Sequence, residues 1–121
     1  MDDGTLLDGV EEATLAFSLG DVSLAASILE KITKGAPDYF EAWHALTEVR
    51  FAKRDLEGAT HAGEQALRLQ PSDLHVHVSL SRIWAERGDK KRAEEYGAKA
   101  RVLGWQAELD EPVENESSPL G

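Results

Sequence analysis

The chain repeats itself every 34 residues over most of its length. A shift of the sequence by 34 positions superimposes turn residues, small residues and helix-ending prolines together: Gly20, Arg54 and Gly88; Asp21, Asp55 and Asp89; Ala25, Ala59 and Ala93; Ile32, Ala66 and Ala100; Leu46 and Leu80; Pro37 and Pro71. One such match would be chance, whereas a joint match at a single period is typical of a repeat protein. A unit of this size cannot bury its apolar face alone, so the period predicts stacked units that share a continuous core.

Each repeating unit shows the pattern of two helices, so the fold class predicted from the period is all-α. The apolar periodicity and the helix-stop signals place the helices at about residues 6–19, 22–34, 40–53, 56–69, 74–87 and 90–103. The break inside each unit carries a carboxylate that can cap the second helix: Asp21, Asp55 and Asp89. Thr5 with Asp8, and Asp38 with Glu41, are spaced as variant capping boxes at the starts of first helices.

The end of the chain has a different composition from the repeats. We expect Gly104 to end the last helix as a left-handed C-cap, with Trp105 packing back on the final turn. Residues 107–121 are acidic, contain two prolines and lack apolar periodicity, so they are predicted to form a disordered acidic tail. An alternative is that this tail folds back onto the basic segment 82–92. The predicted domain is residues 1–106, with repeats at about 6–39, 40–73 and 74–106.

Composition excludes several classes of function. The net charge is −10, and a global acidic balance argues against nucleic-acid binding, which depends on neutralising phosphates. Without cysteine there is neither a disulfide framework nor a thiolate zinc site. No apolar stretch approaches the roughly 18 residues of a membrane helix, and the N-terminus is acidic where a signal peptide is basic. We therefore expect a cytoplasmic protein without membrane contact. A fragment of a longer chain remains open.

The middle unit resembles the tetratricopeptide repeat family. The positions that carry the resemblance are Trp43, Leu46, Thr47, Arg50, Ala59, Gly63 and Pro71, and four of these seven have the family residue. The third unit matches less well, with His77, Leu80, Ser81, Trp84, Ala93 and Gly97, and the first unit is the weakest. The resemblance covers about residues 6–105. It implies a right-handed α-solenoid of three helix-turn-helix repeats.

Two of the departures from the family pattern predict how the helices pack. Gly63 and Gly97 occupy a position where the family prefers a large aromatic residue, and we expect Trp43 or Trp84 to fill the space. His77 is expected to pack at the position of the family's tryptophan, which Trp43 holds in the middle unit.

The resemblance also implies a function and a binding surface. Tetratricopeptide arrays are non-catalytic interaction modules that serve as scaffolds, adaptors or co-chaperones, and they bind a partner peptide or helix in a concave groove lined by the first helices. The family's groove positions, carried onto this chain, are Val10, Thr14, Phe17, Glu41, His44, Glu48, Phe51, His75, Val78 and Arg82, with Leu7 and Ala85 at the two ends. Helical spacing supports this set, because His44, Glu48 and Phe51 share one face. The alternative for Phe17 and Phe51 is a place in the core.

Three further expectations concern the partner. The basic clamp of chaperone-binding members is replaced here by Glu41, His44, His75 and Ser79, so binding of an acidic chaperone tail is not expected. The last repeat lacks a polar capping helix, so self-association through it is the second hypothesis. The third is a metal or pH sensor built on His44, Glu48 and His75. The chain lacks catalytic and phosphate-binding motifs, so we expect neither enzymatic activity nor a cofactor.

Overall fold

The structure, a computed structural model, describes residues 2–110 as six helices and no strand. The helices are α1 (Asp3–Ser18), α2 (Val22–Gly35), α3 (Phe40–Ala52), α4 (Leu56–Leu69), α5 (Leu74–Glu86) and α6 (Lys90–Asp110). The all-α prediction is confirmed, and α1 to α5 begin and end within three residues of their predicted positions.

The second helix of every repeat begins at the predicted aspartate. The carboxylate of Asp21 accepts the N–H of Leu24 at 3.1 Å. Asp55 and Asp89 accept the N–H groups three residues ahead in the same way, each at 3.0 Å. Each cap satisfies a backbone donor that the helix itself leaves unpaired, which explains why Asp recurs with the period.

The two predicted capping boxes are wrong. α1 begins earlier than expected, because Asp2 caps it by accepting the N–H of Thr5 at 2.8 Å. This hydrogen bond to the charged form holds the pKa of Asp2 below its ordinary value. α3 is preceded by Tyr39, which makes no side-chain capping bond. α5 is capped by Asp73, which accepts the N–H of Val76 at 3.0 Å.

The helices stack in chain order, and α3 also contacts both α1 and α5. Residues that the period predicted to be small lie where helices cross: Ala13, Thr47, Ala25 and Ala59 are fully buried. Leu29, Leu46 and Leu80 fill the space between them and are also fully buried. This arrangement places α2, α4 and α6 on the other side of the array.

His77 packs where Trp43 packs one repeat earlier, as predicted. The indole Nε1 of Trp43 donates to the carbonyl of Pro37 at 2.8 Å. His77 Nε2 lies 2.8 Å from the carbonyl of Pro71. Both rings are at least nine-tenths buried. Since each proline lies six residues before its ring, the proline turn is held to the following helix by the same bond in both repeats.

The prediction that a tryptophan fills the space beside the helical glycines is wrong. A Cβ added to Gly63 would lie 2.7 Å from Cδ2 of Leu80, so it is Leu80 that occupies this space. A Cβ on Gly97 would lie 3.2 Å from Oγ of Ser81, which donates to the carbonyl of Ala93 at 2.7 Å. The glycines do allow close approach of neighbouring helices, but the approaching residues come from α5.

The predicted end of the last helix is also wrong. α6 continues through Gly104 to Asp110, and Trp105 is 62% exposed rather than packed on the final turn. Residues 106–110 are mostly good helix formers, and acidic charge alone does not stop a helix. The predicted domain boundary at residue 106 therefore falls inside α6, and residues 107–110 of the predicted tail are helical. Residues 111–121 lie outside the described part of the chain.

No helix between residues 2 and 110 combines the length and the apolar character needed to cross a membrane.

Candidate partner-binding groove

An apolar cavity of about 360 Å³ lies between α1 and α3. Six of the ten predicted groove residues line it: Val10, Thr14, Phe17, Glu41, His44 and Glu48. Ala13, Leu29, Ala45 and Val49 complete the lining. The floor is therefore built from core side chains, while the polar groups of Glu41, His44 and Glu48 stand along the α3 side.

Helical spacing brings these residues together. Val10, Thr14 and Phe17 follow one another at intervals of four and three residues, so they form one stripe of α1. Glu41, His44 and Glu48 form the corresponding stripe of α3 at intervals of three and four. Phe17 and Phe51 are half-buried and pack against the core. Phe17 also lines the cavity, whereas Phe51 does not.

The other predicted residues lie between α3 and α5. The guanidinium of Arg82 is 3.8 Å from the carboxylate of Glu48 and 4.9 Å from the ring centroid of Phe51. Ser79 donates a short hydrogen bond to Glu48. Glu48 is thus bound by two α5 residues, and its charge is balanced within the protein. Val78, on the same helix, is 41% exposed.

The histidines of successive repeats face each other. The rings of His44 and His75 are nearly parallel, with centroids 6.4 Å apart, and Phe40 lies 5.6 Å from His44. Their proximity meets one requirement of the sensor hypothesis. No group of three or more His, Asp or Glu residues within the described range is placed to hold a metal ion.

Three carboxylates lie around Tyr39 at the start of α3, and one of them, Glu41, also lines the groove cavity. Burial raises the pKa of Tyr39, and the carboxylates of Glu41, Asp3 and Glu11 raise it further, so all three acids lie near this ring. None of these carboxylates forms an ion pair with a described residue. Residues 2–30 contain no lysine or arginine that could balance them.

Sequence reasoning missed part of the lining. Leu29 belongs to α2, and Ala45 and Val49 lie beside the positions that the family leaves exposed. The prediction assigned the groove only to outward positions of first helices, whereas the floor of this cavity is the core itself. The apolar periodicity of the sequence indicates that Leu29 and Val49 are buried. It does not indicate which of the buried residues border a cavity.

Comparison with known proteins agrees with this architecture. No protein-family model matches the chain. The TPR repeat-containing protein PA0015 of Pseudomonas aeruginosa is 38% identical over 69 residues, which cover 51% of this chain and 66% of that protein. This chain therefore spans just under two thirds of that relative.

Solved structures extend the likeness to nearly the whole chain. A MamA structure, 41-end, from Desulfovibrio magneticus RS-1 is 22% identical with a TM-score of 0.78, over 88% of this chain and 59% of that one. A chain of the CopN-Scc3 complex is 17% identical with a TM-score of 0.82, over 96% of this chain and 66% of that one. This chain has the fold of a tetratricopeptide repeat array. The identification made from the 34-residue period is confirmed.

Function in tetratricopeptide arrays depends on the surface that the repeats present, so the residues of this groove, and not the fold alone, decide what the chain binds. The groove lacks the basic clamp that grips a C-terminal carboxylate. Glu41 and His44 occupy its α3 positions, and Ser79 is bound to Glu48.

Proposed function

We propose that this chain is a non-catalytic interaction module that binds a peptide segment or helix of a partner protein in the concave groove. The observation that carries the proposal is the apolar cavity between α1 and α3, which is bordered by polar residues. Apolar pockets with a few convergent polar groups are the usual form of a binding site. Cytoplasmic location and the absence of nucleic-acid and membrane partners remain predictions from charge and sequence.

The groove favours a partner segment with an apolar side chain next to a basic residue. The apolar side chain enters the cavity floored by Leu29 and Val49. The basic residue lies beside Glu41, which has no ion-pair partner among residues 2–110. Glu48 is the weaker attraction because Arg82 already balances its charge. Complementary charge of this kind governs specificity and association rate more than affinity.

A pair of matched variants tests this proposal. Thr14→Arg places a long cation at the mouth of the cavity and should abolish partner capture in an affinity pull-down, with bound proteins identified by mass spectrometry. Ser27→Arg adds the same side chain at an exposed position of α2, outside the groove, and should leave capture unchanged. Equal recovery of the same partners by both variants would contradict groove binding.

A second candidate function, self-association through the last repeat, is favoured by the surface of α6. Val102, Trp105 and Leu109 lie at intervals of three and four residues on this helix and are 42%, 62% and 82% exposed. At the other end of the array Leu15 and Leu19 are 60% and 76% exposed. An apolar stripe at one end and exposed leucines at the other suit head-to-tail contact between copies, the arrangement that generates rings or filaments.

A further inference from the structure

A second cavity, of about 760 Å³, lies between α4, α5 and α6 and shares no lining residue with the groove. A smaller cavity of about 300 Å³ lies one repeat earlier. The two are equivalent by the period, because four of their lining positions are related by 34 residues: Glu30 and Glu64, Trp43 and His77, Arg50 and Trp84, His61 and Glu95. The structure thus contains an internal comparison for the larger site.

The smaller cavity is lined by an arginine of the chain itself, which pairs with the carboxylate of the same lining. The Arg50 guanidinium lies 3.6 Å from the carboxylate of Glu30 and donates to the carbonyl of Gly58 at 3.2 Å. The Arg50 side chain is only 18% exposed, so the ion pair is partly shielded from water.

In the larger cavity the carboxylate is retained and the arginine is not. Trp84 stands at the position of Arg50, and Glu64 stands at the position of Glu30. Among residues 2–110, Glu64 has no ion-pair partner, and neither do Glu57 and Glu95, which line the same cavity. Burial raises the pKa of Tyr96 and the charge of Glu64 raises it further, so Glu64 lies near this ring.

Two buried polar atoms on the cavity's lining residues also have no hydrogen-bond partner in the described part of the chain: Trp84 Nε1 and His77 Nδ1. Both residues are more than nine-tenths buried. The Trp84 indole can only donate. Because a carbonyl only accepts, the contact with Pro71 assigns the proton of neutral His77 to Nε2, which leaves Nδ1 as an acceptor. Buried groups in this condition are rare and costly, so a ligand that satisfies them is favoured.

Two of the three cations that line this cavity, Arg87 and Arg92, are already engaged. The guanidinium carbons of Arg87 and Arg92 lie 4.3 and 4.6 Å from the Trp84 ring centroid. Arg87 also donates to Thr60 at 2.9 Å, and Arg92 lies 3.8 Å from the carboxylate of Asp89. Lys99 is the third base of the lining. None of the three lies within ion-pair distance of Glu57, Glu64 or Glu95.

We propose that this cavity binds an arginine side chain of a partner protein, with its guanidinium against Glu64, in the role that Arg50 has in the preceding repeat. A guanidinium supplies several donors in a planar fork, which suits a carboxylate together with the Nδ1 acceptor of His77. The peptide carbonyl of the bound arginine residue supplies an acceptor for the Trp84 indole. His77 and Trp84 lie two helical turns apart on one face of α5, which is about 10 Å along the helix axis. Different parts of the ligand therefore bind the two side chains.

The three tryptophans make this site measurable by NMR, because each gives one indole N–H signal. The full chain is titrated with the capped peptide Gly-Arg-Gly and, separately, with the same peptide carrying citrulline or lysine in place of arginine. We expect the Trp84 indole signal to shift and saturate with the arginine peptide, with a Kd of about 1–10 mM for a single side chain. The Trp43 signal should not move, since its N–H is bound to Pro37.

A matched pair of variants separates specific binding from general charge attraction. Glu64→Gln should weaken binding of the arginine peptide about tenfold, whereas Glu108→Gln removes a carboxylate outside the cavity and should not. An unchanged Trp43 signal shows that each variant is folded. The proposal is overturned by equal saturation with the citrulline or lysine peptide, by an unchanged Kd in Glu64→Gln, or by no saturable shift at about ten times the expected Kd. The groove is not involved, so either proposal can fail alone.

Discussion

The turn inside each repeat has one position with a left-handed backbone, and its φ angle determines which residue is accommodated there without strain. Gly20, Arg54 and Gly88 occupy the same place in the period, and all three have positive φ, at 89°, 64° and 85°. The left-handed conformation is easy for glycine and strained for a residue with a Cβ. The middle repeat therefore carries a local strain that its two neighbours avoid.

Replacing Arg54 by glycine should stabilise the protein. We expect the free energy of unfolding to rise by about 0.5–1 kcal/mol, since the strain is relieved at the cost of an exposed ion pair with Glu86 that contributes little. Urea denaturation measures the change. Lys53→Gly is the control, because Lys53 has φ of −77° and gains nothing from glycine. A loss of stability in Arg54→Gly as large as in the control would contradict the role of the angle.

At the level of elements, α6 differs most from the expected pattern. A glycine that ends a helix as a left-handed C-cap has positive φ, and among the described glycines only Gly20 and Gly88 do. Gly104 instead lies within the helix, and nothing would contact a Cβ added to it. Gly63 is also helical, but there a Cβ would meet the fully buried Leu80. Gly104 thus lies where a larger side chain would fit, whereas Gly63 lies where Leu80 leaves no space for one.

Alanine substitution distinguishes these two positions. Gly104→Ala should raise the free energy of unfolding by about 1 kcal/mol, because alanine favours a helix interior and has space here. Gly63→Ala should lower it by about 1–3 kcal/mol, since the added methyl group overpacks the contact with Leu80. Thermal and urea unfolding report both changes. Destabilisation by Gly104→Ala would indicate that α6 ends at Gly104 after all.

At the level of the whole molecule, the two ends of the array expose apolar side chains while the chain carries a charge of −10. Like charge opposes association, and salt at about 0.15 M screens it beyond roughly 8 Å. Self-association through the proposed surface should therefore strengthen as the salt concentration rises.

Sedimentation velocity at several protein and salt concentrations tests this assembly. We expect the wild-type chain to show a mass that increases with concentration, and Trp105→Glu to remain monomeric over the same range because the charge interrupts the α6 stripe. Ala107→Glu adds the same charge on the opposite face of α6 and serves as the control. A wild-type chain that is monomeric at every concentration would exclude self-association.

The candidate site could be predicted only in part. The family's groove positions, supported by helical spacing, identified six residues that line the groove cavity, because helical periodicity fixes which side chains share a face. It did not show that Arg82 balances Glu48 or that Leu29 borders the cavity, since these contacts join different helices and depend on how those helices pack. The cavity beside Trp84 was not predicted at all for the same reason.

The sequence by itself determined the repeat, the helix pairs and the aspartate caps, because turn chemistry, capping and apolar periodicity act over a few neighbouring residues. Tertiary structure decided how far α6 extends, which residue fills the space beside Gly63, and where cavities remain between helices. These outcomes depend on the volumes and charges that distant residues bring together. For that reason Glu30 and Glu64, equivalent in the period, differ among residues 2–110: Glu30 pairs with Arg50, and Glu64 has no ion-pair partner.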